Sequence, residues 1–496
     1  MNVLLIYPEL PDTFWSFRHA LRFVRKRAAF PPLGLLTVAA MLPAHWGKRL
    51  ADLNVTSLKK ADLAWADLVF ISGMVIQKSS ARAVIARCKA AGRTIVAGGP
   101  LFTQGYEEFP EVDHFVLNEA ELTLPEFLAD LEAGQARRLY TTSDYPDIGA
   151  TPAPLWELAD LRRYASMSVQ YSRGCPYDCD FCNVTTLFGR KVRTKTAVQV
   201  IAELDGLRRA GWASMVFFVD DNFIGNRKKL KTELLPALIE WRRNGSTMAF
   251  NTEVSINLAD DEPLMTMMVE AGFTTVFVGI ETPNEESLVE CSKRQNRGRD
   301  MIEDVKRVHR AGLQVQGGFI VGFDHDSTSI FQRQIDFIQR SGIVTAMVGM
   351  LQAPPGTRLY HRLKGEGRIL GQSTGDNVDG TTNIIPAMGL ERLREGYRDI
   401  LGHIYAPKVY YERIRTFLKE YKAPEIRPRL SREQVLAFLR SIYHLGIVGC
   451  ERVQYWRLLF WVRRQRRGLL PLAVTLAIYG HHFRKVSQLR VMRAAV

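Results

Sequence analysis

The feature that most constrains the fold of this chain is a repeated alternation of short apolar runs with longer amphipathic segments. Residues 1–140 contain four such runs, MNVLLIYP, LVFISGMV, TIVAGGP and HFVLNEAE, with helical segments such as ARAVIARCKAAG between them. Continuous apolar strands joined by helices predict a parallel, doubly wound sheet. Ligands of such sheets bind outside the carboxyl ends of the strands, where the segments SGMVIQKSS, GGPLFTQG and NEAE fall.

A second series of strands and helices follows residues 141–165, a proline-rich segment that we interpret as a linker. Its predicted strands are SVQYS, MVFFVDDNF, AFNTEV, TVFVGIE, LQVQGGFIVGF and VTAMVGML. Six parallel strands predict an incomplete (β/α)6 barrel over residues 166–384, with functional groups at the carboxyl ends of its strands. Residues 385–496 have a helical pattern. The sequence therefore predicts an α/β protein with a doubly wound N-terminal domain (1–140), a partial barrel and a helical C-terminal domain.

Three of the six cysteines lie within eight positions of the segment YSRGCPYDCDFCNV, as Cys175, Cys179 and Cys182. Structural zinc sites favour four ligands, and iron–sulfur clusters are held by thiolates in tight loops. Three thiolates on a four-iron cluster leave one iron open to an external ligand. The residues favour such a cluster, and a zinc site and three unrelated structural cysteines are the alternatives.

The C-x-x-x-C-x-x-C motif resembles the defining motif of the radical S-adenosylmethionine (SAM) superfamily. The resemblance implies that the three cysteines hold a [4Fe-4S] cluster, and that SAM binds its open iron and is cleaved to methionine and a 5′-deoxyadenosyl radical. It also implies SAM contacts at successive strand ends. The expected residues are Phe181, Asp220, Asp221, Asn222, Glu253, Glu281, Gly317 and Gly318. Each carboxylate taken alone has a second interpretation, as a helix cap or half of an ion pair.

A doubly wound domain in front of such a barrel resembles the cobalamin-binding class of radical SAM enzymes. PPLGLLTVAAML, SGMVIQKSS, AGGP and NEAE carry this resemblance. The cobalamin-binding residues that it implies are Pro8, Leu33, Gly34, Ser72, Gly73, Gln77, Gly98, Gly99, Pro100, Asn118 and Glu119. The Asp-x-His-x-x-Gly motif of many cobalamin enzymes is missing, so we expect no protein histidine on cobalt. The alternative is a domain of the same fold that has lost cobalamin.

The resemblance extends over nearly the whole chain, with the hopanoid C-2 methylases as recognisable relatives. It implies a C-methyltransferase that uses two SAM molecules, one for the 5′-deoxyadenosyl radical and one for methylcobalamin. The expected partners are a small-molecule or lipid-like substrate and an electron donor such as flavodoxin or ferredoxin. Two alternatives are a non-methylating radical reaction, such as cyclisation, ring contraction or oxidation, and a cobalamin or redox sensing module without turnover.

The positive charge of the chain is concentrated at its C-terminal end. Residues 451–496 carry ten Arg and Lys against Glu451 alone, which supplies +9 of the net charge of +14. Trp456, Phe460 and Trp461 are interleaved with these cations. This pattern is typical of a helix on an anionic lipid surface, and the alternative is a helical cap whose aromatics belong to the core.

Other features bear on location and partners. The N-terminus MNVLLIYPEL lacks the features of a signal peptide, and the run LLPLAVTLAIYG is too short to span a bilayer. We therefore expect a cytoplasmic protein with peripheral contact to the inner membrane face. No RNA-binding module accompanies the basic residues, so no nucleic acid partner is expected. His481 and His482 are interpreted as structural.

Overall fold

The computed structural model describes residues 1–376, 378–423 and 432–492. The N-terminal part contains a six-stranded parallel sheet with the strand order β2-β1-β3-β4-β5-β6. The strands are β1 (Asn2–Tyr7), β2 (Gly47–Asp52), β3 (Leu68–Ser72), β4 (Thr94–Gly98), β5 (His114–Val116) and β6 (Leu139–Tyr140). Four of them coincide with the predicted apolar runs. The two edge strands, β2 and β6, were not predicted, because GKRLAD and LY are not continuous apolar runs.

Helices cover both faces of this sheet, which confirms the predicted doubly wound fold. Within β1, Leu4 and Ile6 belong to the core on one face, and Val3 and Leu5 belong to the core on the other. This double burial explains why the strand is apolar throughout. The helices of this part are α1 (Arg18–Val24), α2 (Leu33–Met41), α3 (Lys60–Trp65), α4 (Lys78–Ala90), α5 (Pro100–Thr103) and α6 (Ala120–Glu132).

The second large sheet is also six-stranded and parallel, with the order β14-β13-β12-β11-β10-β7. Its strands are β7 (Met167–Val169), β10 (Val216–Phe218), β11 (Phe250–Val254), β12 (Phe273–Glu281), β13 (Gln314–Val321) and β14 (Ala346–Met350). All six predicted strands are present, and β7 and β14 form the two edges of an open barrel. A short antiparallel pair, β8 (Ser172–Arg173) and β9 (Arg193–Thr194), flanks the cysteine loop.

The helices of the barrel connect successive strands. The helix that begins at Ala197 is capped by Thr196, whose hydroxyl accepts a hydrogen bond from the Gln199 backbone N–H. This capping box fixes where the helix begins. The helices are α7 (Val184–Phe188), α8 (Ala197–Arg209), α9 (Arg227–Lys229), α10 (Leu235–Arg243), α11 (Glu262–Ala271), α12 (Glu285–Glu290), α13 (Met301–Ala311), α14 (Ser329–Ser341) and α15 (Arg358–Gly365).

The C-terminal part is helical, as predicted. Its helices are α16 (Leu390–Ile404), α17 (Pro407–Glu420), α18 (Arg432–Ser441), α19 (Arg452–Gln465) and α20 (Leu470–Val486). A π-helical turn, Ile442–Ile447, continues α18, and a second one, Ser487–Met492, follows α20. Helices α16 and α17 pack against α14, and α20 packs against α1, α17, α18 and α19. No helix in the described ranges is long and apolar enough to cross a membrane.

Buried polar contacts tie the C-terminal helices to the rest. The fully buried Arg413 of α17 donates to the carbonyl oxygens of Ile404 at 2.9 Å and Val344 at 3.3 Å. The buried imidazole of His482 hydrogen-bonds the Phe14 carbonyl at 2.9 Å, and His481 lies 3.4 Å from Glu451. Arg493, one of the ten basic residues noted above, lies outside the described residues.

Candidate active site

A cavity of about 1460 Å³ lies where the carboxyl ends of both sheets meet the C-terminal helices. Its wall combines residues from three parts of the chain. From the N-terminal sheet these include Tyr7, Met74, Val75, Ile76 and Gln104; from the barrel Glu253, Gly279, Glu281, Gly318 and Met350; and from the C-terminal helices Phe438, Leu472 and Tyr479. A molecule in this cavity is therefore within reach of groups from all three parts.

The cysteine loop begins at a position that requires glycine. Gly174 has φ +88°, and a Cβ atom there would lie 2.8 Å from the Lys191 carbonyl oxygen and 3.0 Å from that of Gly189. Within the loop, the Cys182 backbone N–H donates to the Cys179 carbonyl at 3.1 Å. Cys182 lines the cavity, so the loop presents a thiol directly to it.

The three thiols form a donor set that fits an iron–sulfur cluster. Cys175, Cys179 and Cys182 are free and partly buried. Burial raises the pKa of each, that of Cys182 to about 12, so thiolates here need a cation beside them. Among the described residues no group of three or more His, Cys, Asp or Glu is arranged for a metal ion. The chemistry of the donor set is three thiols in one short loop, which suits a cluster held by thiolates.

Two predicted SAM-binding carboxylates accept hydrogen bonds from the backbone that leads into the cysteine loop. Asp220 accepts hydrogen bonds from the Tyr171 N–H at 3.2 Å and the Ser172 hydroxyl at 2.5 Å. Asp221 accepts one from the Gly174 N–H at 3.3 Å. Burial raises the pKa of Asp220 to about 7 and that of Asp221 to about 6, although these hydrogen bonds lower both. Both carboxylates lie behind the cavity wall.

Glu253 differs from its neighbours because it lines the cavity. Burial, with the carboxylates of Asp221 and Asp220 nearby, raises its pKa to about 8. At neutral pH Glu253 is therefore mostly a protonated carboxyl that can donate a hydrogen bond into the cavity.

The predicted residue Asn222 makes a structural contact. It joins the ends of β10 and β11, since its side-chain amide makes two hydrogen bonds of 3.3 Å with Ser255.

Glu281 forms a buried ion pair with Lys293, a residue that the sequence analysis did not identify. The Lys293 Nζ lies 2.6 Å from Glu281 Oε1. Burial lowers the pKa of Lys293, but Glu281 and the nearby Cys179 outweigh that effect and raise it. Gly279 makes room, because a Cβ there would lie 2.3 Å from the Glu281 carboxylate. The cysteine loop therefore has a buried ammonium–carboxylate pair beside it.

Gln295 is a second residue without a sequence signal. Its Nε2 lies 3.9 Å from Cys179 Sγ, and its Oε1 is buried without a hydrogen-bond partner. The predicted Phe181 and Gly318 line the cavity, and the Phe181 ring meets that of Phe323 edge-on at 6.2 Å. Gly317 lies behind the wall, packed on Phe319. The structure thus brings Cys182, Phe181, Glu253, Glu281 and Gly318 together.

Of the predicted cobalamin-binding residues, one lines the cavity and the others do not. Pro100 lines the cavity. The Pro8 carbonyl accepts the Gln77 amide at 2.5 Å and that of Asn54 at 3.3 Å, and Gly99 (φ +84°) allows Ser72 Oγ a close approach. The predicted residues outside the lining are Pro8, Leu33, Gly34, Ser72, Gly73, Gln77, Gly98, Gly99, Asn118 and Glu119.

The wall on this side comes from residues next to the predicted ones. Met74, Val75 and Ile76 belong to the segment SGMVIQKSS, which the sequence analysis had placed at this edge. Gln104 contributes a buried Nε2 atom without a hydrogen-bond partner. An unpaired donor in an apolar wall fits a ligand rich in amide and hydroxyl groups, as cobalamin is. Within the described ranges no histidine lines the cavity.

Glu119 and Asn118 make contacts inside the protein. Glu119 pairs with Arg193 at 2.7 Å and with Arg173, which also pairs with Glu121 at 2.8 Å. Asn118 has φ +62° and accepts the Thr141 hydroxyl at 2.7 Å. Because Arg173 directly precedes Gly174, this buried network joins the N-terminal sheet to the cysteine loop.

Three family models match successive parts of the chain. The B12 binding domain matches residues 26–128, the radical SAM superfamily residues 169–338, and a domain of unknown function (DUF4070) residues 357–494. These matches follow the N-terminal sheet, the barrel and the C-terminal helices.

Relatives match over nearly the full length. An uncharacterized methyltransferase of Synechocystis sp. is 40% identical over 97% of this chain and 91% of its own. The hopanoid C-2 methylase of Rhodopseudomonas palustris (strain TIE-1) is 33% identical over 97% of this chain and 92% of its own. The structure of the cobalamin-dependent S-adenosylmethionine radical enzyme OxsB with aqua-cobalamin bound has a TM-score of 0.62 and 14% identity, covering 100% of this chain and 81% of that one. The last likeness shows a shared fold.

Proposed function

We propose methylation of a carbon in an apolar, lipid-like substrate for this chain, which belongs to the radical SAM enzymes with an N-terminal B12 binding domain. It is a cobalamin-dependent radical SAM methyltransferase, as the relatives that match its whole length indicate. When bound, the [4Fe-4S] cluster with SAM supplies a 5′-deoxyadenosyl radical, and cobalamin supplies a transferable methyl group. The substrate class is the new element.

The residues of the cavity divide the binding tasks. Cys175, Cys179 and Cys182 would hold the cluster, and Phe181, Glu253 and Glu281 would contact SAM beside it. Met74 to Ile76 and Gln104 would face cobalamin across the cavity. We assign these tasks to the barrel (166–384) and the N-terminal domain (1–140), and the substrate wall to residues 385–496.

The observation that carries the proposal is the composition of the third cavity wall. Most of the C-terminal residues that line the cavity are apolar, among them Phe438 of α18 and Leu472, Val474 and Ile478 of α20. Burying apolar surface against such side chains contributes roughly 25 cal/mol per Å². This wall therefore favours an apolar substrate, consistent with the hopanoid in the name of the methylase relative.

Aromatic residues from the segment after β1 shield the barrel side. Trp15 lines the cavity, meets Phe277 edge-on at 5.3 Å, and its Nε1 lies 3.0 Å from Met347 Sδ. Phe14 stacks on Phe483 of α20 at 4.1 Å and so fixes this segment. The packed rings would exclude water from a reactive carbon centre.

An electron donor such as flavodoxin or ferredoxin is also part of the proposal. Arg190 and Arg358, both more than half exposed, lie beside Asp178 of the cysteine loop. These cations suit an acidic partner that must approach the cluster closely.

The proposed location is the cytoplasm, with contact to the inner face of the membrane.

The test uses SAM carrying a deuterated methyl group. Reconstituted enzyme is incubated anaerobically with a reductant and either the lipid fraction or the polar fraction of a cell extract, and products are compared by mass spectrometry. We expect a labelled methyl group in a lipid, and none with Cys182→Ala. Labelled product only in the polar fraction would contradict an apolar substrate.

A further inference from the structure

The C-terminal helices carry many exposed apolar side chains that are close together in sequence, which we name the apolar face. Eighteen large apolar side chains are exposed in the described structure. Eight of them lie in the 26 residues 435–460, which run from α18 through the π-helical turn into α19. They are Val435, Leu436, Leu439, Tyr443, Ile447, Val448, Val453 and Phe460. Phe460 is the most exposed of them, at 66%. Single exposed apolar residues are common, but a cluster of this size marks an interaction surface.

Helix α19 adds positively charged side chains beside the apolar face. It contains Arg452, Arg457, Arg463 and Arg464, all exposed, and no acidic residue. Its buried side consists of Tyr455, Leu458, Leu459 and Val462. At 100° per residue the opposite side presents Val453 and Phe460 side by side, with Arg457 and Arg464 on one flank of them. The acidic residues nearby are already paired, since Glu451 is buried against Arg484 and Glu433 contacts Lys26 at 3.3 Å.

Apart from the buried Tyr455, the three aromatics of this helix have different environments. Trp456 donates its indole N–H to the Gly446 carbonyl at 2.9 Å, and Trp456 and Trp461 both pack on the core. Only Phe460 faces outward, and its ring tilts against Trp456 at 6.0 Å. The helix is therefore both a cap on the core, through the tryptophans, and a basic apolar surface.

Helix α18 borders both the cavity and this face. Val435, Ala437 and Phe438 of α18 line the cavity, together with Leu470 and Pro471 at the start of α20. Leu436 and Leu439 on the same helix point to the outside. One helix thus separates the substrate space from the apolar face, and Val435 belongs to both.

We propose that the apolar face docks on an anionic lipid bilayer and holds the cavity mouth against it, so that an apolar substrate enters without crossing water. The arginines suit anionic headgroups, and the apolar side chains suit the boundary of the acyl chains. In this proposal the helices lie on the surface of the bilayer. The route of the substrate rests on the proposed function, whereas the docking itself does not.

The docking test is flotation of the full-length protein with vesicles. Vesicles of phosphatidylcholine alone are compared with vesicles that contain phosphatidylglycerol, at low and high salt. We expect flotation with the anionic vesicles, at least a tenfold loss with Leu439→Glu/Phe460→Glu, and a weakening by salt and by Arg457→Glu/Arg464→Glu. Val198→Glu is the matched control, because Val198 is 79% exposed on α8 and should float like the wild type.

Three outcomes would overturn the docking. They are absence of flotation, equal flotation of the Leu439→Glu/Phe460→Glu variant, and a dimer in light scattering that this variant breaks, which would make the face a contact between two copies. Circular dichroism and iron content confirm that each variant is folded.

Activity assays separate the docking from the substrate class. With substrate in detergent micelles, Leu439→Glu/Phe460→Glu should keep wild-type turnover, because neither residue lines the cavity; with substrate in vesicles it should lose at least tenfold. Vesicle binding without any lipid methylation would leave the docking standing and refute the substrate class. Lipid methylation at equal rates by both proteins in vesicles would refute the docking.

Discussion

Replacing Arg173 by methionine should weaken the junction between the N-terminal sheet and the cysteine loop. Arg173 pairs with Glu119 and with Glu121, and the three side chains are only 12%, 3% and 10% exposed. Removing one partner of a buried charge pair costs about 3–5 kcal/mol, because the other charge is left uncompensated. Arg193 still pairs with Glu119 at 2.7 Å, so we expect the lower end, about 3 kcal/mol of unfolding free energy.

The loss has a pH dependence that identifies its source. Burial raises the pKa of Glu121, but the charge and hydrogen bonds of Arg173 outweigh this and lower it below its usual 4.5. A carboxyl with a lowered folded pKa stabilises the native state above the unfolded pKa, and this contribution is lost as pH falls through the folded pKa. The difference between wild type and variant should therefore be full at pH 7 and shrink below about pH 4.5.

Urea unfolding followed by circular dichroism, together with iron content after anaerobic reconstitution, measures both consequences. The matched control is Arg137→Met, whose ion pairs with Glu126 and Asp130 involve an arginine that is 54% exposed, and which should cost about 0–1 kcal/mol. We expect the first unfolding transition to shift to lower urea and the iron content to fall in the Arg173 variant alone. Equal losses in both variants would refute the reasoning that this buried network positions the cysteine loop.

Three further predictions concern the cavity. Because burial and the carboxylates of Asp221 and Asp220 raise the pKa of Glu253 to about 8, the cofactor-free protein should lose stability as pH rises from about 4.5 to 8. Glu253→Gln should recover a few kcal/mol of that loss; thermal unfolding between pH 5 and 9 measures it, and an unchanged slope would contradict the assignment. Gly318→Leu should abolish methylation while iron content stays normal, because a Cβ at this position already lies 2.8 Å from the Phe277 ring and a larger side chain would enter the SAM site; retained turnover would show that Gly318 does not border SAM. Since no histidine lines the described cavity wall, the electron paramagnetic resonance spectrum of the cob(II)alamin form should be identical for protein made with ¹⁴N- and ¹⁵N-histidine, and a changed splitting would reveal a protein imidazole on cobalt.

The strands that could be predicted from the sequence are those buried on both faces. Val3 to Ile6 have apolar neighbours on both sides of the sheet, so β1 is apolar throughout and easily identified. The edge strand β2 contains charged residues and is only partly buried in its first four positions, and β6 is only two residues long. Neither leaves a periodic signal, so both emerged only from the pairing in the structure.

The site was predictable where a motif is local in sequence and less so where geometry decides. Three cysteines within eight positions are recognisable without a structure. By contrast, β12 changes register next to Gly279, and Glu281 adopts φ +63°, which directs its carboxylate to Lys293. No pattern in the sequence predicts this change of register. Gln104 likewise belongs to no motif, and only the structure shows that its buried Nε2 has no partner beside the cavity.

The central claim is most directly tested by counting the products of SAM in a single reaction. A methyltransferase that uses one SAM for the radical and one for the methyl group should release 5′-deoxyadenosine and S-adenosylhomocysteine in equal amounts, matched by deuterated methyl groups in the product. This ratio should hold for the reconstituted full-length enzyme with its lipid substrate. Release of 5′-deoxyadenosine without S-adenosylhomocysteine or labelled product, while substrate is consumed, would contradict methylation.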